Sequence, residues 1–590
     1  DDIDIIPFQK VRERQFEREN HLAAFWLDQG ELVMVENDMT EDARMVDGHR
    51  HAIGLDNTPY EEQRKFGPTL YDAYIVDLET GDRERFLEEV KYVWGSSPDG
   101  RVMLYQRDGH AWAYHIDGGE HVNLTRRVRT EFENQENSTL TDEKPLYGVG
   151  GWSEDGRTVY LYDRYDIYAF EADGSEHTRL TSGDRDRVRH RLISHDPDGE
   201  RVFDPDEPAH VSHYGDTTKR WGFGTLDLDP DNDAGANGSA GVRTLILEDQ
   251  NLGGLAKAED ADVFVYTSQD FDDPPDMFVA KGVDLEDPAQ ITEMNPQHDD
   301  YAWGHSELID FETETGEPLQ GALHYPADYD PDKSYPMLVY IYELRSQNLR
   351  NYPVPSETSS YNFATFTQEG YFVYQPDIVY RAQNPGVSAV ESVVPAVETV
   401  LDRVDSIDDD RVGLVGHSWG AYQTAFIVTQ TDLFAAGVAG APLTNMMSMS
   451  MSIYWNSGQT DAWIFHESQG RMDRPFWRDV DTYIANSPIF NIDDMNTPLL
   501  ISFGTEDGAV DFNQGVEMYN AARLAEKDLV MLVYPGENHS VRRRENQVDY
   551  HYKILDWFGH YVKGEDPADW ITEGKPWLER QKEIEAMEGN

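Results

Sequence analysis

Over the first 300 or so residues, apolar positions alternate with polar ones in short runs broken by turn signals, the period-two signature of half-buried strands. Residues 97–125 (SPDGRVMLYQRDGHAWAYHIDGGEHVNLT) align without a gap on 153–181 (SEDGRTVYLYDRYDIYAFEADGSEHTRLT), with 11 identities in 29 positions at an offset of 56. Asp99-Gly100-Arg101 falls on Asp155-Gly156-Arg157, and Leu124-Thr125 on Leu180-Thr181. Asp-Gly pairs between alternating residues mark hairpin turns, because glycine tolerates the positive φ such turns require. A weaker copy runs from ADVFVYTSQD to AQITEMNP. Repeated hairpin units at this spacing predict the blades of a β-propeller in preference to a β-sandwich. A unit of this length leaves room for about five blades, and Asp1 starts mid-pattern. Either the propeller is small or the chain is a piece of a longer product.

From about residue 305 the pattern changes. Pro336–Tyr342 (PMLVYIY), Tyr371–Tyr374, Arg411–Val415, Ala436–Ala439, Pro498–Phe503 and Val530–Tyr534 read as buried strands. Between them Val390, Val393, Val394, Val397, Val400, Leu401 and Val404 recur at helical spacing. Strand–helix alternation means a mainly parallel sheet covered on both faces. The predicted organisation is multidomain: an all-β propeller over 1–304, then an α/β domain over 305–590.

Composition narrows the function classes. The 590 residues hold no cysteine and 112 acidic against 49 basic side chains, a formal charge of −63. Such a surface repels phosphate backbones, so neither nucleic acid nor an anionic membrane is an expected partner. Disulfides, thiol catalysis and cysteine-ligated metals are excluded. Only 13 of the cations are Lys, the other 36 being Arg, and with a pI near 4.4 this looks like adaptation to high salt. No run of about 18 apolar residues exists to span a bilayer. The N-terminus DDIDIIPFQK lacks a signal-peptide pattern. Localisation stays open, the expectation being extracytoplasmic with any signal peptide already removed.

Gly416-His417-Ser418-Trp419-Gly420 follows the strand RVGLV and precedes the helical run AYQTAFIVTQ. This is Gly-x-Ser-x-Gly at a strand-to-helix elbow, a context that marks Ser418 as a nucleophile. A nucleophilic serine needs a base and the base an orienting acid. The strand PLLISFG ends in Thr505-Glu506-Asp507-Gly508-Ala509-Val510-Asp511, and LVMLVYPG ends in Glu537-Asn538-His539-Ser540, so Asp507 and His539 stand 89 and 121 residues after the serine. His539, in a polar loop before the last helix, is the expected base. His417 is expected to point away from the serine, and His551 and His560 read as helix-surface residues. Spacing alone leaves Glu506, Asp507 and Asp511 open as the acid.

The second half resembles the catalytic domain of the prolyl oligopeptidase family of serine peptidases, which join an α/β hydrolase to a propeller. YPADYDPDKSYPMLVYIYE, GHSWGAYQTA, GAPLTNM, NSPIF, FGTEDGAVDFNQGVEMY and YPGENHS carry the resemblance, in family order, through most of 320–565. The resemblance implies Ser418 as nucleophile, His539 as base and Asp507 as the acid of a Gly-x-x-Asp-x-x-Val pattern. It implies the backbone N–H of Trp419 and the hydroxyl of Tyr342 as oxyanion donors, although Glu343-Leu344 stand where the family has glycines; Tyr340 is the alternative. The pocket for the residue before the scissile bond is expected from Leu443, Met446, Met449 and Ile453, at near-helical spacing, with Trp419 and Val510. Glu131, Glu133 and Glu136, or Glu88-Glu89, are candidates to hold a substrate N-terminus, with no choice among them. The acidic loop DLDPDNDAGANG lacks the glycine and glutamate that a calcium loop requires at its sixth and twelfth positions. No metal or cofactor is expected.

The expected activity is hydrolysis of short peptides through an acyl-enzyme, exopeptidase- or oligopeptidase-like. A carboxylesterase using the same residues is the first alternative, and a non-catalytic propeller scaffold the second. Expected partners are short peptides, with either homo-oligomers or a separate N-terminal fragment completing the propeller. The charge generates a testable expectation. Molar salt shortens the screening length to about 3 Å and suppresses self-repulsion. The melting temperature should therefore fall as salt is removed; one unchanged between dilute buffer and molar KCl would refute salt adaptation.

Overall fold

A computed structural model describes residues 4–37, 42–64, 66–229 and 241–588. Most of the acidic loop DLDPDNDAGANG, from residue 230 onward, and the chain start at 1–3 lie outside them. The chain divides into two compact units, Asp1–Pro296 with Glu467–Gln469, and Gln297–His466 with Gly470–Asn590. Residues 298–303 stay with the second unit because His298 and Trp303 stack (4.4 Å) and both meet the ring of Tyr352.

In the first unit the strands form five successive antiparallel meanders, preceded by the hairpin Ala23–Trp26/Glu31–Met34. Among the described residues four strands in chain order make each sheet, spanning 42–90, 93–123, 149–179, 188–248 and 251–290, with Val202–Phe203 interposed in the fourth span. Val202–Phe203 adds a parallel fifth strand to the third sheet. The sequence repeat is the second sheet against the third, and its identities do the same work in both. Ser97 Oγ donates to Asp99 (2.7 Å) and accepts from Val102 N, as Ser153 Oγ donates to Asp155 (2.7 Å) and accepts from Thr158 N. Gly100 and Gly156 take φ of +67° and +69° at these turns. Thr125 and Thr181 each accept a backbone N–H, from Ala111 and Ile167.

Alternation along a strand sends side chains to neighbouring sheets. Val102 and Leu104 pack with Trp152, Val159 and Leu161 of the third sheet, while Met103 and Tyr105 pack with Ile53, Ile75 and Leu87 of the first. Tyr160 and Tyr162 turn instead to Val211 and Leu226 of the fourth sheet, and Phe223 to Phe264 and Tyr266 of the fifth. A cavity of about 910 Å³ is lined from four successive sheets by, among others, Asp47, Trp94, Trp152 and Arg191.

The second unit is built on one eight-stranded sheet. Its strands are β1 (Ser306–Glu312), β2 (Pro318–His324), β3 (Tyr335–Ile341), β4 (Phe372–Pro376), β5 (Ile407–His417), β6 (Ala436–Gly440), β7 (Leu499–Gly504) and β8 (Leu529–Tyr534). Their order is β1-β2-β4-β3-β5-β6-β7-β8, with β1/β2 and β2/β4 antiparallel and every other pair parallel. This is an α/β-hydrolase sheet. Met337, Val339 and Ile341 face the helix α1 (Pro385–Arg403), whose Ala389, Val393, Ala396, Val397 and Val400 are buried against them. Leu338 faces the other way, onto the helix α5 (Arg544–Phe558) with Ile554, Trp557 and Phe558. Tyr340 joins this second cluster through Tyr361 and Phe363. The periodicity had not marked β1 and β2, where each apolar run is short and interrupted.

Four histidines in two facing pairs of the first unit carry a pH consequence. His190 and His213 face each other (Nδ1···Nδ1 2.8 Å), as do His195 and His210 (3.0 Å). Burial, reinforced by Arg191, pulls His190 down to about 4, and burial takes His213 to about 3 and His195 to about 4. In the second unit burial takes His324 to about 3. Unfolded histidines titrate near 6.5, so between about pH 6.5 and 4 the unfolded chain binds protons that the folded chain refuses, and stability falls with pH. In molar KCl, where carboxylate repulsion is screened, the melting temperature should drop steadily through that window. A flat profile would contradict the burial of these rings.

Candidate active site

β5 runs into Ser418, and the helix α2 (Trp419–Ile427) starts at the next residue. Ser418 has φ 57° and ψ −118°, a conformation that non-glycine residues rarely adopt. The two motif glycines make room for it. A Cβ on Gly416 would stand 2.3 Å from the Gly420 carbonyl oxygen, and one on Gly420 would stand 2.2 Å from that of Ile341. The turn is pinned by Ser418 N–H donating to Gly440 O at the end of β6 (2.8 Å).

His539 lies in the loop after β8. Its Nε2 is 2.8 Å from Ser418 Oγ, and its Nδ1 is 3.0 and 3.1 Å from the carboxylate oxygens of Asp507. Asp507, with no side-chain exposure, also accepts from Ala509 N and Val510 N, both at 2.9 Å. An ionised carboxylate accepts a hydrogen bond from Nδ1–H, which leaves Nε2 unprotonated to accept from the serine. The arrangement can therefore draw a proton from Ser418 and hold the resulting imidazolium. Glu506 is exposed, and Asp511 accepts instead from Ser452 Oγ and from Trp455 Nε1 (3.1 Å).

Two residues of this loop had not been assigned roles. Asn538 Oδ1 accepts from Gly508 N (2.9 Å) and His539 N (2.6 Å), tying the loop after β7 to the loop after β8. Glu537 accepts from Arg542 N, Arg543 N and Asn546 Nδ2 at the start of α5; burial pushes its carboxyl up, but these donors outweigh burial and hold it low. The glutamate and asparagine of YPGENHS were visible; their partners were not. A Cβ on Gly504 would lie 2.1 Å from Glu537 O, so only glycine lets the two loops meet.

Several expectations change. The His417 ring centroid lies 4.9 Å from that of His539 and 5.9 Å from that of Tyr361. Burial first, then the neighbouring His539, pulls His417 down to about 4, so it stays uncharged beside the base. His551 is buried, not on the surface, and its Nδ1 lies 3.1 Å from Ser359 O; His560 Nδ1 is 2.9 Å from Glu565 O. Tyr340 and Tyr342 do not share a face, because β3 ends at Ile341 and the chain turns. Tyr342 packs against the cluster containing Trp419, and its ring carbon lies 3.4 Å from where a Gly420 Cβ would stand.

Leu443, Met446 and Met449 are buried in that cluster with Trp419, Tyr422 and Phe465, and Val510 packs onto it. Ile453 is outside it, on the hairpin Ile453–Tyr454/Gln459–Thr460. The helical spacing breaks because the helix spans only Met446–Met449, capped by Asn445 Oδ1 accepting from Met447 N. In the first unit Glu136 is paired with Arg164 (3.2 Å) and Arg189 (2.6 Å), Glu133 accepts from Lys144 N (2.8 Å), Glu88 is paired with Arg85, and Glu89 and Glu131 are exposed. Among the described residues, no helix is long and apolar enough to cross a membrane.

Residues 357–565 match the model of the prolyl oligopeptidase family. Over this segment the chain is similar to that family. It is 26% identical over 275 residues to dipeptidyl peptidase 8 of Homo sapiens, covering 44% of this chain and 28% of that one. It is 30% identical over 189 residues to the acylamino-acid-releasing enzyme of Rattus norvegicus, covering 31% and 25%. The chain spans less than half the length of the curated relatives it matches. Among solved structures, a puromycin-hydrolyzing peptidase of Mycobacterium tuberculosis shares the fold at a TM-score of 0.60 and 15% identity, over 93% of this chain and 84% of that one.

The hydrogen bond from His539 to Asp507 can be tested directly. Asp507→Asn should slow fluorophosphonate labelling of Ser418 by about 10³–10⁴-fold, as loss of the orienting carboxylate does in other serine hydrolases. Glu506→Gln should label at the wild-type rate. Equal effects at the two positions would refute the assignment.

Proposed function

We propose that this protein is a serine peptidase that hydrolyses short peptides. Ser418 attacks the scissile carbonyl while His539 takes its proton and returns it to the leaving amine, so that an acyl-enzyme forms and water then releases it. Asp507 fixes the imidazole tautomer. The Trp419 N–H and the Tyr342 hydroxyl receive the oxyanion, and the buried methionines beside Trp419 form an adaptable apolar pocket for the residue before the cleaved bond. The observation that carries this reading is the unbroken chain Ser418–His539–Asp507, at 2.8 and 3.0 Å, on a glycine-flanked elbow inside the family segment.

We further propose that residues up to Pro296 form a propeller domain and the remainder the catalytic domain. Face-to-face packing of successive sheets, and a cavity lined from four of them, support closure around one axis. The names of the relatives, dipeptidyl peptidase and acylamino-acid-releasing enzyme, favour release of short units from a peptide end.

Ser418→Ala should abolish both cleavage of an aminoacyl p-nitroanilide and labelling by a fluorophosphonate, with the melting temperature kept. Persistent cleavage in that variant would end the mechanism. Turnover of matched ester and anilide substrates separates a peptidase from a carboxylesterase, and a wild-type protein inert to fluorophosphonate would leave the non-catalytic reading.

A further inference from the structure

The hydroxyl of Tyr342 can serve an oxyanion only if its main chain is held, and β3 does not hold it, since the strand ends at Ile341. The next residues are Glu343 and Leu344 rather than glycines, so the loop carries side chains that must be accommodated. Five contacts converge there. The Tyr380 hydroxyl donates to the Tyr342 carbonyl (2.9 Å). Ile378 N–H donates to Glu343 O (3.1 Å), which lays 378–380 alongside 342–343. Gln423 Nε2, one turn after Trp419 on α2, donates to the same Tyr380 oxygen. The Arg471 guanidinium lies 4.1 Å over the Tyr380 ring, with one nitrogen 3.3 Å from Glu343 Oε1.

Arg471 is only 3% exposed and sits at φ 53°. A buried cation in a strained backbone is costly unless it is paired and stacked, and here it is both, on the residues that frame Tyr342. Burial also raises Tyr380 far above the usual tyrosine range, so its hydroxyl remains a donor at every working pH. Tyr380 thereby links the two oxyanion donors: it grips the main chain of Tyr342 on one side and, through Gln423, the helix whose first residue is Trp419 on the other.

We propose that Tyr380 is a positioning residue for the oxyanion site, setting the direction of the Tyr342 hydroxyl, and that the Glu343–Arg471 pair stiffens the loop which glycines would leave free. This rests on the serine peptidase reading. An oxyanion donor works at 2.7–3.1 Å, and displacements of about 1 Å cost up to about 10²-fold in rate. Loss of one hydrogen bond behind the donor should therefore appear in turnover and leave substrate binding largely intact.

The test is a double-mutant cycle on an aminoacyl p-nitroanilide, with rates expressed per site titrated by fluorophosphonate and melting temperatures measured for each variant. Tyr342→Phe should lower kcat by about 10²–10³-fold. Tyr380→Phe, which keeps the ring under Arg471, should lower kcat by about tenfold, with KM unchanged within about twofold. The double variant should be no slower than Tyr342→Phe within about twofold, since Tyr380 acts only through that hydroxyl. Glu343→Gln should show a smaller loss of the same kind and the same non-additivity.

A Tyr380→Phe enzyme with wild-type kcat would overturn the proposal. So would losses that multiply in the double variant, which would mean that Tyr380 acts by a separate route, and so would a silent Tyr342→Phe. In each of these cases the wild type still labels and turns over through Ser418. A wild type that neither labels nor cleaves would overturn the peptidase reading and this inference together.

Discussion

Holding Ser418 at a positive φ is the constraint on which the candidate site depends. A non-glycine residue in such a conformation costs about 1–3 kcal/mol and persists only when its surroundings over-determine it. Here the surroundings are backbone. β5 pairs with β3 up to Gly416 and with β6 up to His417, so the strand is clamped on both sides until the residue before the turn. The Ser418 N–H then closes onto Gly440 O, and α2 begins at once over Gly416 and Gly420, whose missing Cβ atoms let two main chains touch. The serine oxygen is delivered to one place because the backbone has no other path.

The partners are held differently. Asp507 and His539 lie on loops, where there is no ladder to fix them, and polar side chains do the fixing instead. Asn538 binds the two loops together, Glu537 anchors the second onto α5, and Gly504 allows them to approach. An uncharged His417 lies against His539, so it puts no like charge beside that ring. Rigid strand for Ser418 and cross-linked loops for Asp507 and His539 is how a parallel sheet brings together residues 121 positions apart.

What could be read from sequence followed from how local each feature is. The repeat at 97–125 and 153–181 was legible because its identities are the turn itself: Ser, Asp and Gly make hydrogen bonds within five residues. The central strands were legible as continuous apolar runs, since both faces are buried. β5 was read too short because its first residues, IDDD, put exposed charge at the start of the strand, which hydropathy treats as loop. The Leu443–Ile453 spacing imitated a helix that Asn445 starts late and that ends at Met449, and His551 looked like a surface residue because nothing in sequence shows Ser359 against it. The same absence of long-range information left Glu506, Asp507 and Asp511 equal by spacing, in a chain with 112 acids.

By itself the sequence determined the elements, the glycines of the elbow and the kinds of group available, because each depends on neighbours within a few residues. Only the tertiary structure decided which carboxylate faces His539, that His417 is its neutral neighbour, and that Glu343 meets a buried Arg471 rather than solvent. Those outcomes depend on which strands lie side by side and where each ends, and contacts between residues distant in sequence leave no periodic trace along the chain.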